Sequence, residues 1–87
     1  MNLERITLTD SQFKPGKLIR LKSSLIVCSP PSWSLSIIPK NEIVLIIQFF
    51  GMPKNPKMIE ILFLWGIRTC FSGLNRSELQ RFMTILE

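Results

Sequence analysis

The sequence predicts a mainly β protein, a small barrel of about five strands with a short C-terminal helix or 3₁₀ turn. Three observations carry that expectation. The chain has 87 residues, which is enough for one hydrophobic core and leaves no room for a second. Its apolar fraction is 46 %, with 12 Ile and 12 Leu but no Ala, a composition that suits strand packing better than a helical bundle. Its apolar runs are short and are punctuated by Pro, Gly, Asn and Ser, the residues that turn a chain between strands.

Taken in order, residues 1–14 are weakly patterned and read as an N-terminal arm. Lys14-Pro15-Gly16 is a turn signal that opens a single domain over 15–87. From Lys17 to Cys28, Ile19, Leu21, Leu25 and Val27 share one parity, and Arg20, Lys22 and Ser24 share the other. That alternation predicts a half-buried strand with a bend near Ser23-Ser24. Ser29-Pro30-Pro31-Ser32-Trp33-Ser34 follows, where two prolines lack the N–H needed for a ladder, so a structured loop is expected. Glu42 to Phe50 is apolar on both parities and reads as the central strand. Met52 to Lys57, with two prolines, separates it from Met58 to Trp65, a second strand, so the two form a hairpin with a long loop.

Gly66 marks a turn, Ile67 to Phe71 a further short strand, and Ser72-Gly73-Leu74 its close. The C-terminal stretch admits two readings. Asn75 with Glu78 resembles a capping box ahead of a Leu79, Phe82, Met83, Leu86 stripe, which predicts an amphipathic helix. The other reading is a 3₁₀ turn over Ser77 to Leu79 and then a strand from Phe82 to Leu86. Ile19, Leu21, Ile43, Leu45, Ile47, Ile61, Phe63 and Phe71 are expected to share one core.

The side chains that perform chemistry are scarce. There is no His and no Tyr, and Asp and Glu together number 6, so general bases and metal ligands are mostly missing and the chain reads as a non-enzyme. The serines have no activating partner and the four glycines are isolated, so neither a nucleophile elbow nor a phosphate-cradling loop is present. Cys28 and Cys70 lack the CxxC spacing of a zinc or redox motif and read as free thiols. No catalytic, cofactor or metal residue is assigned. The N-terminus has no secretory pattern, and no apolar run approaches the roughly 18 to 20 residues that span a bilayer, so a cytoplasmic location is expected.

The net charge of +5 favours an acidic partner, whether a nucleic acid, an anionic membrane or a protein with an acidic face. Lys40, Lys54 and Lys57 lie in the two turn segments flanking the central strand, while Lys14, Lys17, Arg20 and Lys22 cluster around the first. Phe49, Phe50, Phe63, Phe71 and Phe82 sit inside apolar runs and are assigned to the core. Trp65 is also placed in the core, its indole N–H reaching a turn carbonyl. Trp33 lies in a polar, proline-flanked loop and is the candidate aromatic anchor. Trp33, Lys40, Lys54 and Lys57 are therefore the expected partner-binding residues.

Pro15 to Val27 resembles the opening strand of the SH3-like small barrels, in particular the variable chain of ferredoxin-thioredoxin reductase and similar small subunits of photosynthetic complexes. In that resemblance Glu42 to Ile47 is the second strand, Ile61 to Trp65 the third, Arg68 to Phe71 the fourth, and Ser77-Glu78-Leu79 the 3₁₀ turn before the last. It implies a non-catalytic accessory or regulatory subunit that docks a protein such as an acidic ferredoxin, in the cytoplasm or on the plastid stroma-like side of a membrane complex. A pleckstrin-homology-like arrangement, several strands and one capping helix, stands second. A nucleic-acid-binding barrel is the alternative function.

Overall fold

A computed structural model describes residues 4–8, 11–52 and 54–86. The fold is mainly β. Eight strands form one antiparallel sheet: β1 (Glu4–Ile6), β2 (Leu18–Leu21), β3 (Leu25–Ser29), β4 (Ser34–Ile38), β5 (Ile43–Gly51), β6 (Met58–Trp65), β7 (Arg68–Asn75) and β8 (Met83–Leu86). A 3₁₀ turn (Arg76–Glu78) and a single helical turn, α1 (Leu79–Phe82), precede β8. The order across the sheet is β4-β3-β7-β6-β5-β2-β8, with β1 on the same side of β5 as β2 but farther along.

The sheet must curl to satisfy its own inner face. Ile38 on the β4 edge and Met83 on the β8 edge are as deeply buried as Ile46 and Phe63 in the middle, yet the only other described element is that one short helical segment. A flat sheet would leave those side chains wet. Curling encloses them in one core that includes Ile19, Leu21, Val27, Val44, Ile46, Phe49, Ile61, Phe63 and Cys70. From the arm of residues 1–14, β1 adds to β5, and Leu8 and Phe13 are buried in the same core.

Several elements differ in extent from their sequence reading. The chain does break at Lys22 to Ser24, which makes two strands, β2 and β3, out of the single bent strand. Pro30 to Trp33 form a tight turn, with a cis Pro30-Pro31 bond, Trp33 at φ 57° and its N–H donating to the Ser29 carbonyl at 2.9 Å. That turn permits β4, which the serine-rich sequence had concealed. β7 runs through Gly73 to Asn75 instead of closing at Ser72. There a Cβ in place of glycine would sit 3.3 Å from Glu60 Oε2, so Gly73 leaves room for a neighbouring carboxylate. At the C-terminus the 3₁₀ turn and strand prevail over the long helix, although Asn75 does cap, its side chain accepting from Ser77 N–H at 3.1 Å.

The largest correction concerns β5. Leu45 pairs with Leu64 and Ile46 with Phe63, but Gln48 pairs with Leu62. Ile47 is thus an extra residue, a β-bulge that reverses the parity of everything after it. Val44, Ile46 and Phe49 point into the core, whereas Ile43, Leu45, Ile47 and Phe50 do not. Ile43, Leu45, Ile47 and Phe71, expected in the core, lie half-buried or exposed on the outer face. Phe50 is likewise only half-buried, whereas the half-buried Phe82 and Trp65 do pack against the core.

The register yields a test of face assignment. Ile46→Ala removes a fully buried side chain and should cost about 2 to 5 kcal/mol. Leu45→Ala, one residue away on the outer face, should cost no more than about half of that. Urea unfolding of the two variants checks it, and equal losses would contradict the bulge register.

Candidate functional site

The described residues contain no group of three or more His, Cys, Asp or Glu able to hold a metal ion, and no helix long and apolar enough to cross a membrane. A cleft of about 610 Å³ lies between residues 11–14 and the β2–β8 edge. Its walls are Ser11, Gln12, Lys14, Lys17, Lys22 and Gln80, with Phe13, Met83, Thr84 and Ile85 completing it.

Local backbone bonds build each wall. Lys14, Pro15, Gly16 and Lys17 form a turn closed by the Lys17 N–H donating to the Lys14 carbonyl at 3.2 Å. Gly16 takes φ 90°, a conformation open to glycine and costly for other residues. The turn is fastened to β5 by Gly16 N–H to the Ile46 carbonyl at 2.8 Å and Ile46 N–H to the Lys17 carbonyl at 3.0 Å. On the opposite side, Lys22 N–H donates to the Phe82 carbonyl at 2.7 Å, and Lys22 Nζ donates to the Gln80 carbonyl at 2.7 Å. A carbonyl is a neutral acceptor, so the Lys22 charge stays uncompensated by that bond. No carboxylate lines the cleft among the described residues, and three lysines line one concavity that attracts anions.

The expected partner-binding residues do not converge. Lys40 precedes β5 and Lys54 and Lys57 follow it, so a nine-residue strand, roughly 30 Å when extended, separates the first from the other two. Lys54 and Lys57 share their end of the sheet with Arg76, whose N–H donates to the Lys57 carbonyl at 2.9 Å. Trp33 stands on the outer face with its ring centroid 5.4 Å from that of Phe71, which is itself 6.0 Å from Phe50. Trp65 is half-buried at an end of the barrel, where its indole N–H donates to Glu42 Oε1 at 3.3 Å instead of to a carbonyl. Arg68 lies over its ring at 5.9 Å and donates to Ser29 Oγ at 3.1 Å. Arg20, grouped with the N-terminal lysines in sequence, is not among the residues lining the cleft.

Among the described residues, two groups carry shifted acidities. Burial pushes the Cys70 thiol up, while the nearby Arg68 charge acts against that shift. Burial likewise raises Glu60 above its ordinary 4.5, since it lies on the outer face opposite Phe50 and beside Gly73. Compared with family models, curated proteins and solved structures, the chain matches none.

The Glu60 shift has a definite sign in stability. A carboxyl whose folded pKa is raised holds its proton to higher pH in the folded state. Its contribution is therefore fully present below the unfolded value of 4.5 and is lost as pH rises through the folded value. Glu60→Gln should raise the midpoint of thermal unfolding near neutral pH and have no effect well below 4.5. Unfolding curves across pH check this, and a variant less stable at neutral pH would refute it.

Proposed function

We propose that this chain is a non-catalytic interaction module that docks an acidic protein partner, as an accessory or regulatory subunit of a larger assembly. The observation that carries this reading is the cleft ringed by Lys14, Lys17 and Lys22 without a described carboxylate. The concave shape concentrates the positive field, which speeds association and selects for an acidic segment. Lys54, Lys57 and Arg76 share another end of the sheet, with Glu4 beside Arg76, an end suited to long-range steering more than to close contact. The resemblance to SH3-like accessory subunits is consistent with this role.

Nucleic acid is the competing anion. Single-strand binders interleave basic groups with exposed aromatic rings for base stacking. The aromatic residue of the cleft, Phe13, is buried, and Trp33 is not among the cleft residues. That separation favours an acidic polypeptide.

The test is titration with a polyglutamate peptide and, in parallel, a single-stranded oligonucleotide over a range of salt. Peptide binding should weaken with added salt, and Lys14→Glu with Lys17→Glu should weaken it about tenfold or more, on the order of 1.4 kcal/mol. Lys54→Glu with Lys57→Glu should act mainly on the association rate. Peptide binding indifferent to the cleft variants would defeat the proposal, and tighter binding of the oligonucleotide would give the role to nucleic acid.

A further inference from the structure

The charge of this chain is unevenly placed. Residues 23–39, which hold β3, β4 and the turn between them, contain no Asp, Glu, Lys or Arg, although the whole chain carries +5. Within that neutral hairpin the large apolar side chains point outward: Ile26 is 64 % exposed, Leu35 73 %, Ile37 61 % and Trp33 47 %. β4 is also the end of the sheet, paired with β3 and with no other described strand. It has none of the lysines or prolines that usually blunt such an edge.

Its free backbone groups can be assigned. The Ile26 carbonyl accepts from Ser72 Oγ at 2.9 Å, so it faces β7. Backbone groups alternate sides along a strand, so Leu25, Val27 and Ser29 face β4. Their partners Ile38, Ser36 and Ser34 face back toward β3. Leu35 and Ile37 are left with N–H and C=O directed at the open edge.

We propose that two copies of this chain associate through β4, pairing antiparallel about a two-fold axis at Ser36. That dyad sets Leu35 opposite Ile37 of the second copy, and Ile37 opposite Leu35. Both are residues whose backbone groups face the edge, so each pair exchanges two hydrogen bonds and the free donors and acceptors are satisfied reciprocally. The same register continues the outward row of Ile26 and Ile37 into Leu35 of the other copy. Charge selects the occupant. Two identical +5 chains repel wherever their lysines meet, and this uncharged hairpin is where they approach with least repulsion. A five-residue edge supplies less than the about 800 Å² per partner of a standard interface, so the dimer is reversible and concentration-dependent. Arg68 brings a charge beside the axis, its guanidinium donating to Ser36 Oγ at 3.4 Å. It repels its symmetry mate, so added salt tightens the dimer, the reverse of its effect on an acidic ligand in the cleft.

Sedimentation equilibrium and light scattering on the full chain test this. The expected result is a shift with concentration from 10.1 kDa to twice that mass, and more dimer at higher salt. Leu35→Lys should stay monomeric with an unchanged circular dichroism spectrum, because that side chain is already solvent-exposed. Ser36→Cys, in a Cys28→Ser background, should form a disulfide-linked dimer under mild oxidation, since directly opposed Cα atoms about 4.5 Å apart suit a disulfide. A chain monomeric at all concentrations overturns the proposal, as does a Leu35→Lys variant that still dimerises. A ladder of larger species would indicate β4 pairing with β8 head to tail, and a persisting dimer that fails to cross-link would place the axis elsewhere; either overturns it.

Discussion

The extra residue at Ile47 is the constraint on which the rest of the molecule depends. One edge of β5 has to accept two different strands, β2 as far as Ile46 and β1 from Phe49 onward. The bulge falls between them. Without it, Val44 and Ile46 could face the core only if Phe49 faced away, because side chains alternate strictly along a regular strand. With it, all three are buried, and the strand gains the local twist that a closing sheet requires. The cleft follows from the same feature. β2 leaves β5 at Ile46, and the chain before it turns away through Gly16 while Phe13 and Leu8 anchor it to the core. That excursion forms one wall of the basic cleft, and the β2–β8 edge forms the other.

Much of this was legible in the residues, with one systematic failure. β6 coincides with the run Met58 to Trp65 because Ile59, Ile61 and Phe63 alternate cleanly with Glu60, Leu62 and Leu64. The break at Ser23-Ser24, the Gly66 turn and the Asn75 cap were equally readable, since each rests on the conformational preference of a single residue. A run apolar on both parities, Ile43 to Phe50, gives no phase information. The sequence could therefore announce β5 without saying which side chains were internal, and Leu45 and Ile47 were given the wrong face. β4 was hidden for a different reason, because its serines and the preceding prolines mimic a loop. Only the cross-strand register with Leu25 to Ser29 makes it a strand.

The site was partly legible as well. Lys14, Lys17 and Lys22 cluster in sequence, but nothing local shows that they border a cleft, whose far wall comes from Gln80 to Ile85. Conversely, Lys40, Lys54 and Lys57 look close because they flank one strand, and it is that strand's length that parts them. Sequence proximity to a strand end says little about which end. Trp33 was distinguished correctly as an exposed aromatic, yet its neighbours are Phe71 and, beyond it, Phe50, not lysines.

A sheet with apolar side chains on both faces must control what its outer face meets, and here electrostatics divides the surface. Lys14, Lys17 and Lys22 line the cleft and Lys54, Lys57 and Arg76 share the β5–β6 end, while the β3–β4 hairpin holds no charged residue of its own. Between these regions Glu60 places a carboxylate among Phe50, Leu62 and Gly73. A charge there is costly, because partial burial disfavours the ionised carboxylate, and a carboxylate on the outer face interrupts its apolar surface. The neutral edge has no such guard. In the proposed roles, an acidic ligand is drawn to the cleft by long-range attraction that salt weakens, and the apolar edge acts only at contact, where salt helps by screening like charges. The two surfaces share no residue, so the proposed occupation of one leaves the other open.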